Sequence, residues 1–568
     1  MNLTIGVTGH RDLLAAEKPV LREQVRVFFN GLRRDFPELQ LELLTPLAEG
    51  ADRLVAEVAR EMEIPFIAVL PMMQEIYEKD FEDKASLVRF REQLTAAERV
   101  ITLPPCGGMD PTDLESRGPK RDQQYVQAGV FVSNHCQVLL ALWDGRESRL
   151  AGGTADVLNY HLTGMMAGPS GSVESPNLLA DNENDLAYHL VCSRDRPDGA
   201  PDQELNPGDT HWITAHFGRD PEDRIPSAYH SMFERLVQFD QDGARFGKAI
   251  KQHSESLLRG AVKLEVPPAV EYMDQRFAEA DWLAVHYRKL VSAGLFATHV
   301  IAVLMGLSFI LYSEYVEMDW LLLMYLMLFL GGVALYLWSE RQQWHRKYLD
   351  YRALAEGLRV QLYWLLAGVV DSSSVVFAYD NFLQKQDVDL GWIRHVMRSA
   401  SLRKDRDHRP DPAWVDWVIA QWVGQPDDST GQVAYYARKA AQKEIAFRRT
   451  EWLGAVSLWV GISLSVVLLV ASGRLEESQH QFLLILMGVL PLIAAVRSAY
   501  SHTKADKELI KQYLFMGRVF GNAHRLLQNT DMPERKKQIL RALGNAALEE
   551  HAEWILMHRE RPLEHGRL

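Results

Sequence analysis

Four long apolar stretches interrupt an otherwise mixed pattern: Leu290 to Tyr312, Trp320 to Trp338, Trp452 to Ser472 and Phe482 to Tyr500. As a helix, each is long enough to cross a hydrocarbon core about 30 Å thick. The run Leu321 to Leu330 is apolar on every side, whereas a soluble helix keeps one polar face. Transmembrane helices are therefore expected, paired as two hairpins. The second hairpin copies the first: Leu290 and Trp452 (452−290), Trp320 and Phe482 (482−320), and Tyr351 and Tyr513 (513−351) are each 162 residues apart. Internal duplication explains the register. Parallel repeats place all long segments on one side and two short loops on the other, with a pseudo-two-fold axis along the membrane normal.

Ahead of the hairpins the period changes. Apolar runs Leu3 to Val7, Leu41 to Leu47, Phe66 to Leu70, Val100 to Leu103, Val138 to Trp143 and Ala187 to Cys192 alternate with helical patterns starting near Lys18, Ala51, Lys84, Arg121 and Gly152. Near-continuous apolar strands between amphipathic helices are what a sheet covered on both faces requires. The fold class that follows is an α/β doubly wound, Rossmann-like parallel sheet, joined to an all-α membrane domain of four transmembrane helices.

Charge sets the orientation. Arg288, Lys289, Arg341, Arg346 and Lys347 flank the first hairpin, and Arg448, Arg449, Arg497, Lys504 and Lys507 flank or end the second. The loop Ser313 to Asp319 has no Lys or Arg, and the second loop has only Arg474. By the positive-inside rule the head and both termini of this multi-pass protein are expected to be cytoplasmic. A formal net charge of −13 over 568 residues argues against direct nucleic-acid binding. The three cysteines, Cys106, Cys136 and Cys192, have no metal-ligand spacing, and no secretory leader precedes Leu3. A reduced, cytosol-facing head with no metal is expected.

Unusual residues collect where the strands end. Strand one runs into Thr8-Gly9-His10-Arg11, strand two into Glu49-Gly50-Ala51-Asp52, and strand three into Pro71, followed by Tyr77 and Asp80. Strand five ends at Asp144-Gly145, and Gly152-Gly153-Thr154 opens a helix. Ligands of such sheets sit beyond the carboxyl ends of the strands. Gly9, Gly50 and Gly152-Gly153 can bring backbone amides to a phosphate, Arg11 can add a full charge, and Asp52 or Asp144 can hold ribose hydroxyls. Singly, each has a plainer role: the glycines in tight turns, His10 as a turn residue, Asp52 as a helix-start charge. Five motifs on one edge point to a nucleotide-type pocket, with no other cofactor and the nucleotide unspecified.

Val7 to Arg11, Leu47 to Asp52, Arg121 with Gln124-Tyr125, Cys136 through Gly145, and Gly152-Gly153-Thr154 resemble the SLOG superfamily over about Met1 to Phe217. That superfamily holds nucleotide-sensing domains of bacterial conflict systems and lysine-decarboxylase-like phosphoribohydrolases. The hairpins, with the helix Tyr351 to Gln361 and the tail His558 to Pro562, resemble SLATT two-helix transmembrane effectors over about Glu271 to Leu568. The resemblance implies an antiviral membrane effector: a nucleotide second messenger from a partner nucleotide-producing enzyme, cyclic or NAD-derived, binds the head. The membrane part, as a homo-oligomer among inner-membrane lipids, then opens a pore or disrupts the membrane. The alternative it implies is a membrane-anchored N-glycosidase. Phosphoribohydrolases carry a Glu three residues beyond the Gly-Gly-Thr threonine; here Val157 stands there, Asp156 is one position off, and Glu49 is the remaining acid. A binding head rather than an enzyme is expected.

The implied organisation is a head over 1–218, a helical transmission segment over 219–285, and a first hairpin with its cytoplasmic helix over 286–365. A cytoplasmic insertion over 366–434, the second hairpin with its helix over 435–530, and a C-terminal helix over 531–568 follow. Gly164 to Glu183, rich in Gly, Ser, Pro and Asn, is expected to be a loop beside the pocket. Within the spans, His299 is expected to bond a neighbouring helix, while Gly331-Gly332, Gly454 and Gly461 offer close-packing surfaces for oligomerisation.

Overall fold

The apolar runs become one eight-stranded sheet. A computed structural model describes residues 1–81, 83–147, 152–165, 185–215, 218–220, 224–261, 265–315, 317–370, 390–403, 411–425, 431–471 and 475–560. Its strands are β1 (Asn2–Gly9), β2 (Gln40–Thr45), β3 (Phe66–Leu70), β4 (Arg99–Thr102), β5 (Val138–Trp143), β6 (Leu186–Val191), β7 (Thr210–Thr214) and β8 (Gly218–Asp220). They lie in the order β4-β3-β2-β1-β5-β6-β7-β8. Pairings from β4 through β6 are parallel; β7 and β8 add antiparallel to that edge. The six parallel strands match expectation within two residues at each end. β7 and β8 were not anticipated.

Between the strands run α1 (Lys18–Asp35), α2 (Ala51–Glu61), α3 (Gln74–Tyr77), α4 (Lys84–Ala96), α5 (Pro119–His135) and α6 (Thr154–Thr163). Helix α2 contacts α1 and α4, and α5 contacts α6. All residues of β3 and β6 are buried, as covering on both faces demands. The core under α5 and α6 gathers Leu44, Ile67, Val69, Phe131, Leu139 and Val157.

Two compact units divide the chain. The first holds Met1–Gln252, Lys263–Arg276 and Gly357–Arg409. Besides the sheet it contains α7 (Ser227–His253), which follows it in sequence. The second holds His253–Val262, Phe277–Glu356 and Pro410–Leu568.

The helices after α7 are α8 (Pro268–Glu314), α9 (Asp319–Gln342), α10 (Trp344–Leu366), α11 (Gly391–Leu402), α12 (Ala413–Val418), α13 (Gln432–Ala471), α14 (Glu477–Thr503), α15 (Asp506–Gln528) and α16 (Pro533–Glu560). Helix α8 continues without a break from the expected transmission segment through the first span. Of the stretch between the repeats, α11 belongs to the first unit and α12 to the second.

Among the described residues four helices are long and apolar enough to cross a membrane, and no more than 11% of any span's apolar window is buried within the chain. Apolar surface on that scale is covered by lipid or by other chains, so this is a membrane protein. The duplication reappears in three dimensions. Gln343 breaks α9 from α10 in the left-handed region, as Ala505 breaks α14 from α15, and 505−343 is again 162. Helices α10 and α15 begin 162 residues apart (506−344) and end 162 apart (528−366). Asp281 of α8 pairs with Arg352 of α10 at 2.9 Å, and Lys443 of α13 with Asp506 of α15 at 2.6 Å. Asp281 and Lys443 are 162 apart, but their partners are not equivalent, since Arg352 corresponds to Leu514 (514−352) and Asp506 to Trp344 (506−344); each repeat ties its long helix to a following one through a pair of its own.

His299 differs from expectation: its Nδ1 donates to Leu295 O of its own helix at 2.8 Å, and it meets α14 through a ring contact with Tyr500. The closest glycine packing is also elsewhere, with Gly306 against Leu492 and Gly488 against Ile310, where α8 crosses α14. Nothing lies within 4 Å of a Cβ built on Gly331 or Gly454.

Candidate functional site

Strand order reverses between β1 and β5, and there a cleft of about 600 Å³ opens at the carboxyl ends of the strands. Of the fourteen residues singled out from sequence, eleven line it: Thr8, Gly9, His10, Arg11, Asp52, Pro71, Tyr77, Asp144, Gly152, Gly153 and Thr154. Glu49, Gly50 and Asp80 do not.

The turn after β1 is fixed at three points. His10 N–H donates to Leu142 O at 3.1 Å, and His10 O accepts from Ala51 N–H at 3.0 Å. His10 Nε2 lies 3.1 Å from both the backbone nitrogen and Oδ1 of Asp144, and serves one of them at a time. The imidazole is thus a strut between β1 and β5. Burial alone would raise the Asp144 carboxyl, but the hydrogen bond and charge of His10, the Arg146 N–H and the Arg194 charge hold it below the usual range.

The glycines that read as phosphate cradles have packing reasons. A Cβ on Gly9 would collide with Ala51 and with Leu142 O, so β1 and α2 approach closely only with glycine there. Gly50, at φ +80°, caps α2 outside the cleft lining, and a Cβ on it would meet the carbonyl oxygens of His10 and Arg11. Gly152 and Gly153 lie on the cleft wall at the start of α6, followed there by Thr154 and Ala155. This first turn is the helix N-terminus presented to the cleft.

Beside β2 and β3 the wall is aromatic and charged. The Arg11 guanidinium sits 5.1 Å from the centre of the Tyr125 ring, exposed at the mouth of the cleft. Asp52, only 4% exposed, accepts Ala48 N–H at 3.3 Å. Burial pushes its carboxyl up to about 7 against the Ala48 N–H and the charges of Arg11 and Arg53. At neutral pH it can therefore donate as well as accept. Burial raises the Tyr77 hydroxyl strongly, and Tyr77 Oη donates to Pro46 O at 3.3 Å.

Asp80 and Arg121 support this wall from behind. Arg121 pairs with Asp80 at 2.8 Å and donates to Ile76 O and Leu114 O, while Tyr125 donates to Asp80. Burial and Asp80 together push the Tyr125 hydroxyl up to about 12. Gln124 ties Pro71 O, Pro104 O and Cys106 N–H, joining the ends of β3 and β4. Glu49 accepts from the Ser86 hydroxyl, which also takes Arg53 Nη1 at 2.7 Å, away from the cleft lining.

Sequence reasoning missed the opposite wall. Trp143, Arg146, Glu147, Arg194 and Arg196 all line the cleft. Asp195 to Pro201 reads as a turn-rich loop on the way to the membrane, but Leu13 bridges Arg194, Asp195 N–H donates to Asp12 O at 2.6 Å, and the Arg194 side chain pairs with Asp12 at 2.9 Å. Those contacts fold the segment back onto the β1 turn. Of the expected loop beside the pocket, Gly164 closes α6 in the left-handed region, and residues 166–183 lie outside the described residues. Among the described residues no group of three or more His, Cys, Asp or Glu is placed to hold a metal.

No protein-family model and no curated protein matches this chain.

Proposed function

We propose that the protein is a membrane effector of a bacterial antiviral system. Its head senses a nucleotide second messenger, and its membrane part, assembled from several copies, opens a pore or disrupts the inner membrane. One observation carries the reading: a cleft at the strand-order reversal, with Arg11 on one wall and the N-terminus of α6 opening into it, is built into the same chain as four membrane spans. The SLOG and SLATT resemblances give this pairing its sense.

Against the hydrolase reading stand the positions of the acids. Val157, where a phosphoribohydrolase glutamate is expected, is buried on the cleft wall. Asp156, 2% exposed, accepts Gly152 N–H at 2.8 Å and so braces the start of α6. Glu49 is held by Ser86. Purified protein incubated with nucleoside monophosphates or NAD is expected to bind without releasing free base; turnover lost on Glu49→Gln would instead establish the N-glycosidase.

The basic flanks of the spans support a head and both termini in the cytoplasm. Cysteine labelling of intact spheroplasts is expected to reach a probe in residues 313–319 and to miss one in residues 411–425. The reverse pattern would invert this orientation.

A further inference from the structure

The cleft is longer than one nucleotide half requires. Its walls come from the carboxyl ends of β3, β2, β1, β5 and β6, five strands adjacent in the sheet. Four strand spacings of about 4.8 Å give a span of roughly 19 Å. The N-terminus of α6, which follows β5, opens inside that span and leaves a wall on each side.

Each wall carries the same pair of groups, an aromatic ring and a guanidinium. On the β3 side these are Tyr125 and Arg11, 5.1 Å apart. On the β6 side they are Trp143, whose Nε1 donates to Arg146 O at 3.1 Å, and the arginines 146 and 196. Arg146 is oriented by backbone carbonyls, donating to Asp198 O at 3.0 Å and Pro201 O at 3.4 Å. Among the described residues no carboxylate pairs with Arg146 or Arg196, while Asp12 neutralises Arg194. Glu147 is the acid on that wall without a cationic partner among them. The second wall thus sets Arg146 and Arg196 beside a flat ring, balanced in charge by Asp144 and Glu147, with a helix N-terminus between the two walls.

We infer that the head takes a dinucleotide: two nucleoside units joined through phosphate, the phosphates at the first turn of α6, one unit between Tyr125 and Asp52 and the other against Trp143 and Arg146. The inference rests on the nucleotide reading of the cleft and narrows it to a ligand class. A ring face stacks any base, and an arginine beside it serves the phosphate or the base edge. Two such halves linked through one anion seat bind as a single bivalent ligand, so a mononucleotide loses most of the affinity.

The test is equilibrium binding to the full chain in nanodiscs. The probes are AMP and GMP as mononucleotides, and NAD, cyclic di-AMP and cyclic di-GMP as dinucleotides. At least one dinucleotide is expected to bind thirtyfold or more tightly than either mononucleotide. The double variant Arg146→Ala with Arg196→Ala is expected to weaken that dinucleotide at least tenfold, and Arg11→Ala to weaken it as well. Unchanged circular dichroism and melting confirm that the variants fold. If AMP or GMP binds as tightly as every dinucleotide, or if the double variant leaves dinucleotide affinity unchanged, the dinucleotide inference falls and the nucleotide reading stands. If none of the five binds, both fall.

Discussion

Arg11 stands at the mouth of the cleft with Tyr77, Tyr125, Asp80 and Asp52 around it. Its removal takes away a charge-assisted contact to an anionic ligand worth roughly 1.5 to 3 kcal/mol, so Arg11→Ala is expected to weaken nucleotide binding about ten- to hundredfold. Titration calorimetry on folded protein checks this, and a change under twofold would remove Arg11 from the site. Asp52 is expected to leave a pH signature. Its carboxyl is raised from 3.8 to about 7, so its contribution to stability is fully present below about pH 4 and is lost as pH rises through about 7. Asp52→Asn is therefore expected to be increasingly stabilising, relative to the parent, from about pH 4 to 8, by up to about 4 kcal/mol at the upper end. Parallel pH profiles for parent and variant would show Asp52 ionised throughout. At this scale the sequence marked the right edge of the sheet, but not the reason for every residue. Gly9 and Gly50 were legible as glycines that backbone must approach; that the approaching backbone is the protein's own depends on the α2 crossing, which no local pattern encodes. Arg194 and Arg196 were hidden because turn-rich segments carry no period, and only the contacts of Arg194 and Asp195 with Asp12 and Leu13 bring them back.

The helix α11 shows what element-level patterns leave out. All its residues but Ser401 are buried, including Arg394, His395 and Arg398, which a helical period would read as a solvent-facing side. It packs on α5, whose opposite side offers Tyr125, Ala128, Gly129 and Val132 to the cleft. Arg398 of α11 meets Asp185, just ahead of β6, at 2.7 Å, both nearly inaccessible. Gln137 donates to His395 O at 3.4 Å, and Trp392 lies against Phe239. Burial would raise Asp185, but the charges of Arg398, His161 and Arg394 bring it down to about 2. Its contribution is thus present above about pH 4 and lost as pH falls through about 2. Arg398→Met leaves that carboxylate buried and unpaired and is expected to cost about 3 to 5 kcal/mol, with most recovered on adding Asp185→Asn. Denaturation of the single and double variants checks the coupling; equal losses from both would mean packing, not charge, governs the contact. The helix starts at Lys18, Ala51 and Lys84 and the six parallel strands were readable because amphipathic periods and apolar runs are local. β7 and β8 were not, since their short segments pair only through the edge that β6 leaves open.

For the whole molecule, the 162-residue repeat carries furthest from sequence to structure. It sets equal bounds for α10 and α15 and equal left-handed breaks at Gln343 and Ala505. Spans so little buried within one chain require lipid or further copies around them, and Gly331 and Gly454 leave room for close approach there. A ligand opens such an assembly only through unequal affinity for its closed and open states. The direct test is dye release from liposomes containing the full chain, as nucleotides are titrated in. Release is expected to rise saturably with a dinucleotide, and Arg11→Ala is expected to move the half-maximal concentration about ten- to hundredfold upward. Folded protein whose liposomes leak equally with and without every nucleotide tried, and equally in the Arg11→Ala variant, would contradict a ligand-gated membrane effector.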